Sequence, residues 1–219
     1  YTWLGLMYFV EGDIMNALDH LKIGLKFLEA INDQAYISIN LTYFGMIYYS
    51  QGDHLTALEF YDKALKISIK LNDKILISST YCTMAKLYID QSNYASANKI
   101  LMKGLKLCEE IESTHCTHKT CILLAKSYLD MGDFSKALKY INYIEYNENN
   151  IFIVTSLYIK GTILFEQGKL AEAKKNGLRC LEISQSIGIT ASISQSSELL
   201  NKIYKKEKNW QKANAMHEL

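Results

Sequence analysis

The stretch Leu41-Thr42-Tyr43-Phe44-Gly45-Met46-Ile47-Tyr48-Tyr49-Ser50-Gln51-Gly52-Asp53-His54-Leu55-Thr56-Ala57 decides the fold. Leu41, Phe44 and Tyr48 fall at spacings of three and four, which sets them on one face of an α-helix. Gly52-Asp53 ends that helix: the glycine relaxes the backbone limits, and the carboxylate caps the helix that follows. Gly45 is small because a partner helix crosses closely there, and Ala57 and Ala64 are the small residues on that partner. The segment is a helical hairpin.

The same order of residues recurs along the chain. Leu4-Gly5, Tyr8, Gly12-Asp13 and Ala17 form the first copy, and Phe44-Gly45, Tyr48, Gly52-Asp53 and Ala57 the second, 40 residues on. Met84-Ala85, Tyr88, Ser92-Asn93 and Ala97 follow after another 40, then Leu124-Ala125, Tyr128, Gly132-Asp133 and Ala137 at the same distance. Lys160-Gly161, Leu164, Gly168-Lys169 and Ala173 come after only 36. Leu200-Asn201, Tyr204, Lys208-Asn209 and Ala213 close the series at 40. A period of this length signals a solenoid. Gly24, Gly104 and Cys180 stand at the Ala64 position, but Ile144 breaks the small-residue rule, so altered packing is expected there. The segment Tyr146-Asn147-Glu148-Asn149-Asn150 is the expected bend or joint.

These positions resemble the tetratricopeptide repeat over almost the whole chain. The resemblance implies an all-α fold, a right-handed superhelical α-solenoid of antiparallel helix pairs. The 40-residue unit resembles the longer-helix variety of the family. Its usual inter-repeat proline is absent, and Asn32-Asp33, Asn72-Asp73, Glu112-Ser113 and Ile187-Gly188-Ile189 stand in its place. One array is expected over 1–219, with repeats at about 1–32, 33–72, 73–112, 113–148, 149–188 and 189–219. Both ends read as truncated, because Tyr1 falls at the family's fourth repeat position and Leu219 inside a second helix. Solenoid ends otherwise carry polar caps.

Composition narrows the function. Lys and Arg number 24 against 23 Asp and Glu, a net charge of +1 that gives no basic footprint for nucleic acid. The Lys202, Lys205, Lys206, Lys208 and Lys212 cluster reads as a solvated helix face. No stretch approaches the roughly 18 consecutive apolar residues of a membrane span. No serine-histidine-acid set or glycine-rich phosphate loop is present, so no catalytic residue and no cofactor are expected. His115-Cys116-Thr117-His118-Lys119-Thr120-Cys121 offers two imidazoles and two thiols, but its spacing matches no familiar zinc module. Cys121 occupies the core position of Tyr1, Leu41, Tyr81 and Leu157, so no metal is expected. Five cysteines without a paired framework read as free thiols, which favours a reducing, cytoplasmic setting.

The first helix of each pair lines the concave side of such a solenoid. Residues one step beyond the core positions then face the groove: Thr2, Leu6 and Phe9; Thr42, Met46 and Tyr49; Cys82, Lys86 and Ile89; Ile122, Lys126 and Leu129; Tyr158, Thr162 and Phe165. Lys119 adds a positive charge. A peptide or partner helix with apolar anchors and a carboxylate fits that surface. Chaperone-binding members of the family grip a carboxylate with paired Asn and Lys or Arg, whereas Thr42, Met46 and Cys82 stand here. The repeats also resemble the sensor domains of bacterial peptide-pheromone regulators, whose concave asparagines are missing. The overall look is that of repeat regions in bacterial regulators, and the Ile, Lys, Asn and Tyr richness suggests a low-GC genome. The expected function is the protein- or peptide-binding, sensing arm of a larger bacterial regulator. A free-standing scaffold is the alternative, and a metal- or thiol-dependent activity near Cys116 to Cys121 the third reading. Exposed terminal helices offer a surface for a homodimer.

Overall fold

A computed structural model describes residues 1–144 and 151–217, so the expected joint at Tyr146 to Asn150 lies outside the described residues. The described residues form twelve α-helices and no strand. They are α1 (Thr2–Val10), α2 (Ile14–Ala30), α3 (Gln34–Ser50), α4 (His54–Lys70), α5 (Lys74–Asp90), α6 (Tyr94–Glu110), α7 (Thr114–Asp130), α8 (Phe134–Ile141), α9 (Ile151–Glu166), α10 (Leu170–Ser186), α11 (Thr190–Lys206) and α12 (Trp210–His217). The chain is all-α, in consecutive helical hairpins. It divides into two compact units, Tyr1–Thr120 and Cys121–Leu219.

Local chemistry sets the helix ends. At Gly52 the backbone enters the left-handed region at φ +79°, open to glycine without steric cost. The Asp53 carboxylate then accepts the Thr56 backbone N–H at 3.1 Å. Asp13, Asp33, Asp73 and Asn93 cap α2, α3, α5 and α6 in the same way. Each such cap contributes about 1 kcal/mol. α10 and α11 depart from the rule, since Lys169 and Ile189 occupy their N-cap positions and make no side-chain cap bond.

In the first unit the hairpin seams are apolar. Phe60 stacks on Phe44 at 5.1 Å and on Tyr48 at 5.4 Å, and Tyr61 is buried beside them. Gly45 makes room for Tyr61: a Cβ there would lie 2.6 Å from the ring's Cδ1 and 3.1 Å from the Ala57 carbonyl. First helices also touch one another, α1 against α3 and α3 against α5, whereas α2, α4 and α6 make no such contact among themselves. The first helices are therefore the inner layer of this unit and the second helices the outer one.

In the second unit, α9 packs on α10, α10 on α11 and α11 on α12. Leu164, Ala173, Leu181, Leu199, Leu200, Ile203, Tyr204 and Ala213 form a buried cluster. α8 holds 8 residues where α2, α4, α6 and α10 hold 17. Ile144, the residue that breaks the small-residue rule, is buried just beyond its end.

The cysteine reading needs a correction. Cys108 and Cys116 are joined by a disulfide, with their Cα atoms 5.4 Å apart. They stand eight residues apart on α6 and α7, and the turn between those helices brings them together. The five cysteines are not all free thiols, so they no longer argue for a reducing compartment. No helix among the described residues is long and apolar enough to cross a membrane.

Candidate functional site

The inner layer of the first unit carries a cavity of about 150 Å³ lined by Phe9, Met46, Tyr49, Ser50, Tyr61, Thr83 and Lys86. α1 supplies Phe9, α3 supplies Met46, Tyr49 and Ser50, and α5 supplies Thr83 and Lys86. These are the C-terminal halves of three first helices, held side by side. Tyr61 reaches the cavity from α4 because Gly45 lets its ring through. Aromatic rings, a thioether and the Lys86 side chain make a largely apolar wall that also carries a cation.

Tyr49 is fixed within this wall. Its hydroxyl donates to the Asp90 carboxylate on α5, and its ring lies 5.9 Å from that of His54. Burial pushes the Tyr49 phenol up to about 12, and the hydrogen bond and charge of Asp90 add to the effect. The phenol is therefore a neutral, committed donor at physiological pH. His54 Nδ1 pairs with Gln91 Nε2 at 3.1 Å, which ties the start of α4 to the end of α5.

Four of the expected groove residues, Phe9, Met46, Tyr49 and Lys86, thus meet in one place. Leu6 does not join them. It lines a separate hollow on α1 with Trp3, Met7, Val10 and Glu11. Thr42 is half-buried, and its hydroxyl is taken by the Ser38 carbonyl at 2.9 Å.

Cys82, placed on the groove by sequence, is instead core at 2% exposure, as are Thr2 and Ile89. Its thiol donates to Thr120 Oγ1 at 3.4 Å, and the Thr120 hydroxyl donates in turn to the Cys116 carbonyl at 2.9 Å. The small thiol therefore packs inward against α7 instead of pointing out. Burial raises the Cys82 thiol, while the Thr120 contact and then the Lys119 and Lys86 charges pull the other way.

The remaining expected residues lie in the second unit. Ile122 is half-buried and Lys126 exposed on α7. Tyr158 and Phe165 on α9 are half-buried against the Leu164–Leu200 cluster. Lys206 stands 4.3 Å over the Phe165 ring, so a cation already covers that face. Burial raises the Tyr158 phenol, with Glu198 adding to the effect. Thr162 donates to the Tyr158 carbonyl at 2.9 Å.

The His115–Cys121 constellation does not converge. Cys116 is engaged with Cys108, and Cys121 is buried in the core. No group of three His, Cys, Asp or Glu side chains among the described residues is placed to hold a metal ion. Sequence reasoning missed Ser50, Tyr61 and Thr83. Thr83, one residue beyond Cys82, could have been found by allowing the helix face to turn slightly.

Two tetratricopeptide repeat models match the sequence, one over residues 36–110 and one over 118–142 and 154–187. Together they cover more than half of the chain. No curated protein sequence matches it. Among solved structures, BtubC from P. vanneervenii is similar at 18% identity and TM-score 0.76, over 90% of this chain and 85% of that one. Aspartyl phosphate phosphatase F from Bacillus subtilis is similar at 16% identity and TM-score 0.75, over 97% of this chain and 66% of that one. PilF from Pseudomonas aeruginosa is similar at 16% identity and TM-score 0.69, over 99% of this chain and 86% of that one. At these identities the likeness concerns the fold.

Proposed function

The chain belongs to the tetratricopeptide repeat family, and from that premise we propose that its first unit is a peptide-binding groove, the interaction arm of a larger bacterial regulator. The fold makes it a protein-interaction module, of a type that is typically non-catalytic. The observation that carries the finer reading is the cavity lined by Phe9, Met46, Tyr49 and Tyr61 together with Lys86. At about 150 Å³ it accepts one large apolar side chain. Burying such a side chain contributes about 1.5–3 kcal/mol. The ammonium of Lys86 then orients a carboxylate close to that anchor, a role that gives direction and specificity more than raw affinity. Lys119 is assigned a supporting positive charge in the same reading. The bacterial part of this reading rests on the Ile, Lys, Asn and Tyr richness of the sequence, and the regulator part on the 40-residue repeat unit. Lys126, at the sequence position equivalent to Lys86, is assigned the same orienting role in its own unit.

Selection from a displayed random-peptide library tests this reading. The wild-type chain is expected to enrich peptides with a bulky apolar residue beside an acidic one. Lys86→Glu should abolish the acidic preference, and Met46→Asp should abolish enrichment, both at unchanged helical content. Lys86→Glu combined with Lys126→Glu should weaken the selected peptides further than Lys86→Glu alone. Enrichment that is equal in the wild type and Met46→Asp contradicts the groove.

A further inference from the structure

The second hairpin carries a tyrosine where its neighbours carry aliphatic side chains. Leu21, Tyr61, Leu101 and Ile141 stand four residues beyond the repeated alanine in the first four hairpins. All four are buried, Tyr61 at 1% exposure. An aliphatic group closes this position without a polar atom, so packing alone does not call for a hydroxyl. A buried tyrosine ordinarily gives its hydroxyl a hydrogen-bond partner. Among the described residues the Tyr61 hydroxyl has none. Nor is its oxygen one of the sealed, unpaired polar atoms, as His20 Nδ1 and Asn40 Oδ1 are. The oxygen therefore reaches open space, and the open space that Tyr61 lines is the groove cavity.

Three more hydroxyls line the cavity, and the proton of each is already used. Tyr49 donates to the Asp90 carboxylate, Ser50 to the Ile47 carbonyl at 2.7 Å and Thr83 to the Thr80 carbonyl at 2.8 Å. Their oxygens keep lone pairs with which to accept. Tyr61 is thus the hydroxyl of this cavity that is left to donate. Burial holds its phenol above the ordinary value, with the Tyr49 phenol adding to the effect, so the proton stays in place at physiological pH.

We propose that the cavity receives a tyrosine side chain of the bound peptide, and that Tyr61 selects it by donating to its phenol oxygen. This rests on the groove reading and names the anchor that the groove takes. The anchor's ring meets Phe9, Tyr49 and the Met46 thioether, partners suited to an aromatic face or edge. Its oxygen accepts from Tyr61 and gives its own proton to the Ser50 or Thr83 oxygen, so one atom answers both needs. A phenylalanine would fill the same space and leave the Tyr61 donor unpaired. A carboxylate would bring no proton for the Ser50 and Thr83 oxygens. A primary amide would bring more polar atoms than this largely apolar wall can pair.

Titration of the full chain with p-cresol and with toluene, the side chains of tyrosine and phenylalanine, tests the proposal. Binding is followed at the Met46 methyl by NMR, in the wild type and in Tyr61→Phe. The ratio of the two affinities is compared between the proteins, so the different solubilities of the probes cancel. That ratio should favour p-cresol at least about tenfold more in the wild type than in Tyr61→Phe, as for a site built to pair a hydroxyl. Equal ratios, with both probes bound, overturn the proposal and leave the groove reading standing. Failure of both probes to move Met46 overturns the groove reading and the proposal with it. Tyr61→Phe keeps the ring against Gly45, so its melting temperature should match or exceed that of the wild type. A lowered one would mean that the hydroxyl serves the fold, and would overturn the assignment. Peptides selected by the wild-type chain give a check that needs no variant: their anchor should be tyrosine, and a preference for phenylalanine or leucine there overturns the proposal.

Discussion

The second and fifth hairpins share a frame and differ in filling. Each crosses at a glycine, Gly45 or Gly161, against an alanine, Ala57 or Ala173, and both alanines are fully buried. In the second, Phe44, Tyr48, Phe60 and Tyr61 fill the seam, and Asp53 caps the second helix. In the fifth, Lys160 and Asn176 stand in the seam over an open cavity, and Lys169 leaves the second helix uncapped. The small residues at the crossing keep the hairpin geometry, so the seam beside them is free to change its chemistry. What a repeat protein needs for folding and what it offers to a ligand are separable to that extent.

The comparison can be broken most forcefully at Phe60. Phe60→Asn imposes the fifth hairpin's choice on the second and removes two ring stacks; chemical denaturation should show a loss of about 3 kcal/mol. A loss below 1 kcal/mol would mean that the seams do not need apolar filling. Next come the crossing glycines. Gly45→Ala drives a Cβ into the Tyr61 ring and should cost about 2 kcal/mol. Gly161→Ala presses on the end of Leu199, 3.0 Å away, where a side-chain tip can give way, and reaches the Ala173 carbonyl and Asn176 Cβ at an ordinary 3.5 Å. Its cost should stay below about 1 kcal/mol, part of it offset by alanine's better helix propensity. Equal losses would erase the difference between the two crossings.

Smaller still is the missing cap. Lys169→Asp copies Asp53 and should stabilise the fifth hairpin by about 1 kcal/mol, visible as a rise in midpoint at unchanged slope. The smallest effect concerns Tyr49. Its folded phenol titrates near 12 and its unfolded one near 10, so its share of stability is full below pH 10. That share is lost as pH rises from 10 towards 12, because the unfolded state sheds its proton first. Tyr49→Phe should flatten this part of the pH–stability curve; an unchanged slope would mean that neither burial nor Asp90 raises the Tyr49 phenol in the native state.

Much of this frame was legible in the residues. The helix ends were, because glycine and aspartate act locally: Gly52 takes a positive φ and Asp53 caps through its own third neighbour. The unusual fourth repeat was signalled by Ile144 and by the 36-residue spacing, and α8 is correspondingly short. Long-range pairings were not legible. The Cys108–Cys116 bond depends on how a turn folds back. The burial of Asn40 depends on Thr2 and on the Leu21 carbonyl, to which its amide donates at 2.9 and 3.2 Å. Register alone placed Cys82 on the groove, but its partner Thr120 lies on a helix two elements away. The same register carried Phe9, Met46, Tyr49 and Lys86 to one cavity, since aromatic and long side chains tolerate a small rotation of the helix face. The cavity at Lys160 went unnoticed because an isolated lysine at a core position reads as repeat variation until the space beside it is seen.

The central claim is that the inner layer of the first unit receives an apolar anchor, and methionine-methyl NMR tests it most directly. The chain has seven methionines, of which Met46 lines the cavity, while Met15 on α2 and Met102 on α6 lie exposed on the outer layer. Titration with a peptide selected by the wild-type chain should shift the Met46 signal strongly and leave those of Met15 and Met102 in place. A bound peptide that moves Met15 or Met102 and leaves Met46 untouched would contradict the account.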